Sequence, residues 1–192
     1  MSNITEFTLP YNSFIGGWII DENICDDMIT QFNNNKDKVK PGLFWNDYKD
    51  TEDKSVKHSK DLCLKPNEMI PDYIKALEGC LLKYIEKYNY VKDLAMFGIK
   101  NEFNIQYYPP GGGYKKWHFE RGNKDLVERV LVFMTYLNDV PQGGTKFFHQ
   151  GITTPAKKGL TLIWPAEWTH THCGQITEKY EKYITTGWFE FI

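Results

Sequence analysis

Arg129-Val130-Leu131-Val132-Phe133-Met134-Thr135-Tyr136-Leu137, closed by Asn138-Asp139 and a Gly143-Gly144 pair, is the stretch that decides the fold class. An apolar run rich in β-branched and aromatic residues and bounded by turn residues reads as a long strand. Outward from it lie further short segments of the same texture: Phe103 to Tyr108, Thr145 to Phe148, Gly159 to Trp164, His170 to Cys173 and Lys182 to Phe191. Many short strands at regular spacing point to a sandwich or barrel. Toward the N-terminus the period changes. Asp21 or Asn23 can cap a helix to about Phe32 with Ile24, Met28, Ile29 and Phe32 on one face, and Asn33-Asn34-Asn35 ends it. Pro71-Asp72 opens a second, with Ile74, Leu77, Leu81, Ile85 and Tyr88 at helical spacing to about Tyr90.

The reading is therefore α+β, mainly β: a double-stranded β-helix (jelly roll, cupin-like) with N-terminal helices packed on one sheet. One domain spans 1–192, in which 1–95 is a helical and extended support and 96–192 the jelly-roll core. Residues 1–20, with Pro10 and Gly16-Gly17, form an extended lead-in, and Lys60 to Leu64 a short strand. Residues 36–60, rich in lysine and aspartate with Phe44, Trp45 and Tyr48 embedded, read as a solvated flexible loop whose functional alternative is a lid over a site.

Composition narrows the partners. The 192 residues carry Lys+Arg 23 against Asp+Glu 25, a net charge of -2, so no field favours nucleic acid or an anionic membrane. No apolar run is long enough to span a bilayer. Cys25, Cys63, Cys80 and Cys173 form no C-x-x-C pair and no secretory leader precedes them, which gives the expectation of buried, reduced thiols in a cytoplasmic protein. The Gly111-Gly112-Gly113 run is not a phosphate cradle, because no lysine–hydroxyl pair and no helix follow it.

Trp117-His118-Phe119-Glu120 and Trp168-Thr169-His170-Thr171-His172 carry the chemistry. On an extended strand His118 and Glu120 point to one face. A distant histidine would complete a 2-His-1-carboxylate facial triad, which leaves one face of an Fe(II) ion open for oxygen chemistry. Alternation puts His170 and His172 on the same face, so periodicity leaves both open as the third ligand. Alone, a His-x-acid pair is weak: in this composition it arises by chance in about one sequence in two.

The surroundings add specificity. Tyr108-Pro109-Pro110-Gly111-Gly112-Gly113-Tyr114 precedes the first histidine. Tyr136-Leu137-Asn138-Asp139-Val140, Gly143-Gly144-Thr145 and Pro155-Ala156-Lys157-Lys158-Gly159 follow in order, and Lys182 then Trp188 come after the distal histidines. In these motifs the region from about Glu102 to Phe191 resembles the 2-oxoglutarate/Fe(II)-dependent dioxygenase superfamily, specifically its prolyl 4-hydroxylase-like branch. The resemblance implies an enzyme with Fe(II), 2-oxoglutarate and O2 as cofactors, and ascorbate as a further candidate. It implies His118, Glu120 and His172 as catalytic metal ligands, the spacing to Lys182 selecting His172 and leaving His170 as a neighbouring group. It implies Lys182 as the cation for the far carboxylate of 2-oxoglutarate, Tyr108 as a hydroxyl partner and Thr186 as a weaker one. The implied reaction is hydroxylation of a peptidyl residue, prolyl first, coupled to decarboxylation of 2-oxoglutarate to succinate and CO2.

The chain departs from the family pattern in three places: Glu120 stands where most members have aspartate, one residue more separates Tyr114 from His118, and the Gly-Gly turn is one residue shorter before Thr145. The alternatives are the same chemistry on a free amino acid or other small molecule, and a metal-binding jelly-roll module without turnover. Oligomeric state is not legible. The remaining polar and aromatic residues have plain readings. His58 is a surface residue and His149 a strand end; Trp117, Trp164, Trp168 and Trp188 are core packing; Arg121 and Arg129 are surface or strand-edge ions. Tyr107 and Tyr136 suit either core or site.

Overall fold

Residues 4–46 and 49–192 are described by the computed structural model; Tyr48 lies outside them. The elements longer than two residues that build the site are, in chain order, β1 (Gly16–Ile19), α1 (Glu22–Asn34), β2 (Lys60–Leu64), α2 (Pro71–Lys87), β3 (Phe103–Tyr108), β4 (Arg129–Tyr136), β5 (Val140–Phe147), β6 (Ile152–Ala156), β7 (Leu160–Pro165), β8 (His172–Gly174) and β9 (Lys182–Phe191). The large antiparallel sheet runs β1-β7-β4-β9-β3-β2, with Thr5–Glu6 and Lys40–Pro41 at its edges and Phe97–Gly98 paired to the end of β9. A smaller sheet, β6-β5-β8, faces it. The architecture is the jelly roll that the strand pattern predicts, with both helices against the large sheet.

The apolar run of β4 is explained by what covers each face. Leu131 and Phe133 pack toward the helices with Cys25, Met28, Tyr73 and Leu77. Val132, Met134 and Tyr136 point into the space between the sheets with Phe147, Leu160, Leu162 and Trp164. Because strand side chains alternate, a sheet covered on both faces must be apolar at every position. Burying a side chain such as Phe133 fully stabilises the fold by about 1.5–3 kcal/mol. Gly187 leaves room for the side chains of the two flanking strands, since a Cβ there would lie 2.5 Å from both Phe103 and Phe133. Helix α1 begins as its sequence predicts: the Asp21 side chain accepts from the Asn23 amide at 2.9 Å.

Several expectations are corrected. Residues 36–60 hold paired strands, Phe44–Asn46 against Lys49–Thr51 and Lys57–His58 against Gly113–Tyr114, so His58 is a half-buried strand residue. Gly143-Gly144 lies inside β5, where the ladder to β6 slips between Val140 and Thr145, so the glycines serve an irregular strand rather than a turn. The second helix stops at Lys87 and a 3-10 turn follows. Cys63 is exposed, whereas Cys25, Cys80 and Cys173 are buried, and all four are free thiols. Trp117 and Trp168 are 43% and 59% exposed and so are not core; Trp164 is fully buried. Among the described residues no helix is long and apolar enough to cross a membrane.

Candidate metal centre

His118 does not sit on a regular strand. It forms a single antiparallel bridge with His172, in which the His118 amide donates to the His172 carbonyl at 3.0 Å and the His172 amide donates back at 2.8 Å. This reciprocal pair sets the two imidazoles side by side, 4.3 Å between centroids. Two residues on, the amides of Glu120 and Arg121 both donate to the Ala166 carbonyl, which returns the Glu120 side chain to the same side. Side-chain atoms of His118, Glu120 and His172 come within 4.8 Å of one another, and among the described residues they form the one such cluster.

The tautomers favour metal binding. His118 Nδ1 donates to the Lys116 carbonyl at 3.0 Å and His172 Nδ1 to the His170 carbonyl at 2.8 Å, so both Nε2 lone pairs turn inward. Burial, reinforced by the neighbouring His118, holds His172 well below the ordinary histidine value and therefore neutral. Burial works against the Glu120 charge, but the adjoining His118, His172 and Arg129 outweigh it and keep the carboxyl ionised. Two imidazoles and one carboxylate on one side of a cavity are a donor set that fits Fe(II) with open positions opposite. The Tyr114 ring lies 3.6 Å over the His118 imidazole, tilted only 14°, and fixes its plane.

His170 is excluded from this cluster. The segment Trp168–His170 is a 3-10 turn, not the start of a strand, so the alternation expected for His170 and His172 is broken. The His170 imidazole is buried elsewhere, donating through Nε2 to the Ser13 carbonyl at 3.0 Å with Thr169 Oγ1 at 3.0 Å from Nδ1.

Across the cleft stands Lys182, on the β9 face that also carries Ile184, Thr186 and Trp188. Its Nζ donates to the carbonyls of Gly143 at 2.8 Å and Gln175 at 3.3 Å, and among the described residues no carboxylate pairs with it. Burial pulls its pKa from 10.5 down to about 8. A buried ammonium satisfied only by neutral carbonyls suits an incoming carboxylate, because charge-assisted hydrogen bonds are the strong ones. The cleft, about 940 Å³, is lined by all three cluster residues, Lys182, Tyr108 and Thr186.

The hydroxyls of Tyr108 and Thr186 already donate within the protein. Tyr108 gives its proton to Gln106 Oε1 at 2.6 Å and Thr186 to the Phe133 carbonyl at 3.1 Å. Gln106 is oriented in turn by Asp61, which is paired to the buried Lys57 at 2.6 Å. Tyr136 also lines the cleft, its hydroxyl 2.7 Å from Thr145 Oγ1.

Four residues around the site escaped sequence reading in the places they take. Trp188 Nε1 donates to Glu120 Oε2 at 3.1 Å. Arg129, expected at a surface or strand edge, is largely buried and lies 3.5 Å from the Glu120 carboxylate and 3.9 Å from that of Glu190. The Lys57–Asp61 pair was hidden in the lysine-rich segment. Trp188 could have been found, because it shares the period-2 face of Lys182. Arg121 pairs with Glu167 at 2.6 Å, and His149 is exposed in a turn between Phe148 and Trp168.

Comparisons with known proteins agree with this geometry. No curated protein sequence matches the chain. Among solved structures, a Pseudomonas putida prolyl-4-hydroxylase is similar with a TM-score of 0.67 at 15% identity, over 93% of this chain and 92% of that one. A viral collagen prolyl hydroxylase from Paramecium Bursaria Chlorella virus-1, solved as a 2OG complex, gives 0.68 at 16% identity over 93% and 97%. A Trichoplax adhaerens prolyl hydroxylase, solved with a hypoxia inducible factor peptide fragment, gives 0.69 at 17% identity over 88% and 78%. These likenesses establish a shared fold. Residues 103–190, which contain His118, Glu120, His172 and Lys182, match the model of the 2OG-Fe(II) oxygenase superfamily.

Proposed function

We propose that this chain is an Fe(II)/2-oxoglutarate-dependent hydroxylase acting on a peptidyl residue, with proline the first substrate to test. The observation that carries the reading is the pairing, in one cleft, of the His118–Glu120–His172 cluster with the buried ammonium of Lys182, which among the described residues has only carbonyl partners. When bound, Fe(II), 2-oxoglutarate and O2 supply the oxidising chemistry, which delivers one oxygen atom to the substrate and yields succinate and CO2. The residues do the rest. His118 and His172 present Nε2 to the metal, and their Nδ1 hydrogen bonds hold the ring planes. Lys182 anchors the far carboxylate of 2-oxoglutarate and so sets how deep the cofactor sits. Tyr108 and Thr186 line the same cavity and would reach the cofactor by exchanging an existing acceptor for it.

A peptide substrate is supported by the open side of the cleft. Leu43, Phe44 and Trp45 from the 36–60 segment line it together with Phe119 and Leu126, and Leu43, Trp45 and Phe119 reach solvent. An extended chain can lie along such a lining while one side chain points at the metal, an arrangement that orients the reacting C–H bond. The Trichoplax relative is a complex with a peptide fragment, which lends weight to the same class of substrate here.

The test is reconstitution of the full chain with Fe(II), 2-oxoglutarate and ascorbate against a panel of proline-containing peptides, reading succinate release and a mass gain of one oxygen atom. Matched succinate and oxidised peptide support the proposal. Turnover confined to free amino acids or other small molecules moves the substrate class. No 2-oxoglutarate turnover with any of them overturns it.

A further inference from the structure

Glu120 has one more methylene than an aspartate, so its carboxylate has an additional torsion to fix. Its two oxygens have different surroundings. Oε1 faces the imidazoles, 3.4 Å from His118 Nε2 and 3.6 Å from His172 Nε2. Oε2 is turned away and accepts from Trp188 Nε1 at 3.1 Å. The Arg129 guanidinium lies 3.5 Å over the Trp188 ring, donates to the Glu120 carbonyl at 3.0 Å and lies 3.5 Å from Oε2.

Arg129 is itself held from behind. The β4–β9 register shifts between Arg129 and Leu131, setting Arg129 opposite Glu190, and its Nε lies 3.9 Å from Glu190 Oε1. Glu190 Oε2 accepts from Asn101 Nδ2 at 2.6 Å. A strand irregularity beside a site is a recurrent way of re-aiming one side chain.

We propose that Arg129 and Trp188 are positioning residues that lock Glu120 as a ligand through one oxygen only. The inference rests on the metal-centre reading above and deepens it. A carboxylate free to turn can bind a metal through both oxygens and take two coordination positions. With the two histidines placed, that would remove one of the positions needed by a bidentate 2-oxoacid and O2 together. By occupying Oε2, the indole N–H and the guanidinium keep that position open and reduce the freedom Glu120 must lose when metal binds. The clamp gives the longer carboxylate of this chain the fixed direction that its additional methylene would otherwise cost.

The experiment is Mn(II) titration by calorimetry on the full chain, with Co(II) absorption as a second readout. Trp188→Phe keeps an aromatic ring under Arg129 but removes the N–H; Arg129→Met removes the guanidinium. Partners of metal ligands typically contribute about 10- to 100-fold in affinity, and each variant is expected to weaken Mn(II) binding by about that factor. The Co(II) spectrum of Trp188→Phe is expected to change as the released oxygen joins the metal, an effect that a purely structural role for the indole would not produce. In a Glu120→Asp background the shorter carboxylate no longer reaches the indole, so Trp188→Phe is expected to add nothing. Unsubstituted protein that binds Mn(II), with Trp188→Phe unchanged in both affinity and spectrum, overturns the clamp alone. Unsubstituted protein that binds neither ion overturns the metal centre and the clamp with it.

Discussion

Replacing Lys182 by methionine will separate what this lysine does for the fold from what it does for the cofactor. Lys182 is 5% exposed, and its ammonium has two carbonyl acceptors and, among the described residues, no counter-charge. Displacement of its pKa from 10.5 to about 8 corresponds to about 3 kcal/mol against keeping the charge in the folded state. Methionine removes that penalty and forfeits two hydrogen bonds worth about 1 kcal/mol each, so the metal-loaded, cofactor-free variant is expected to be about 1 kcal/mol more stable at neutral pH. Cofactor binding goes the other way. Removing one partner of a buried charge pair typically costs about 2–5 kcal/mol, so 2-oxoglutarate affinity is expected to fall by about a hundredfold or more.

The pH dependence has opposite signs for the two properties. Between about 8 and 10.5 the lysine is protonated in the unfolded chain but not in the cofactor-free fold, so unfolding takes up a proton there. The stability deficit of the unsubstituted protein relative to the variant is therefore full below 8 and closes as pH rises through that window. Its advantage in 2-oxoglutarate affinity is also full below 8, and declines once the ammonium is lost. The assays are urea unfolding without 2-oxoglutarate and calorimetric titration of the Mn(II)-loaded protein with it, each across that range. A variant that binds 2-oxoglutarate within about threefold of the unsubstituted protein would refute the assignment of Lys182, given the size expected for such a pair.

Three further outcomes follow from named contacts. His172→Ala is expected to abolish Mn(II) binding, whereas His170→Ala leaves it intact and lowers stability by about 1–2 kcal/mol through the lost bond to Ser13, as calorimetry and urea unfolding will show. Asp61→Asn leaves Lys57 buried and unpaired; urea unfolding should report a loss of about 3 kcal/mol or more, and a loss below about 1 would mean that Lys57 finds another partner. Phe133→Ala empties a fully buried position between sheet and helices, and its unfolding free energy is expected to fall by about 3–5 kcal/mol.

What could be read from the chain, and what could not, divides along one physical line. Local periodicity was sufficient wherever a side chain's role depends on its own element. The apolar run of β4 announced a long strand, the spacing through α1 announced its buried stripe, and Asp21 was one of the two residues, with Asn23, offered as its cap. His118 and Glu120 could be paired because two residues along extended backbone return to one side, even though the backbone there is a single bridge rather than a strand. Alternation failed for His170, because a 3-10 turn ends one residue before β8 begins and no polar–apolar pattern marks that boundary in Trp168-Thr169-His170-Thr171-His172. It failed for β6, where Pro155 counts against a strand; but β6 is an edge, paired only to β5, where proline is tolerated.

The Arg129 contacts are of a different kind. Arg129 meets Glu120 nine positions away and Glu190 across the sheet, through a register slip that neither strand's own sequence encodes. Inter-strand register is decided by the whole packed sheet, so a residue whose work depends on it looks, in sequence, like any charge at a strand end. The His118–Glu120–His172 cluster was therefore readable, while the Arg129 contacts beside it were not.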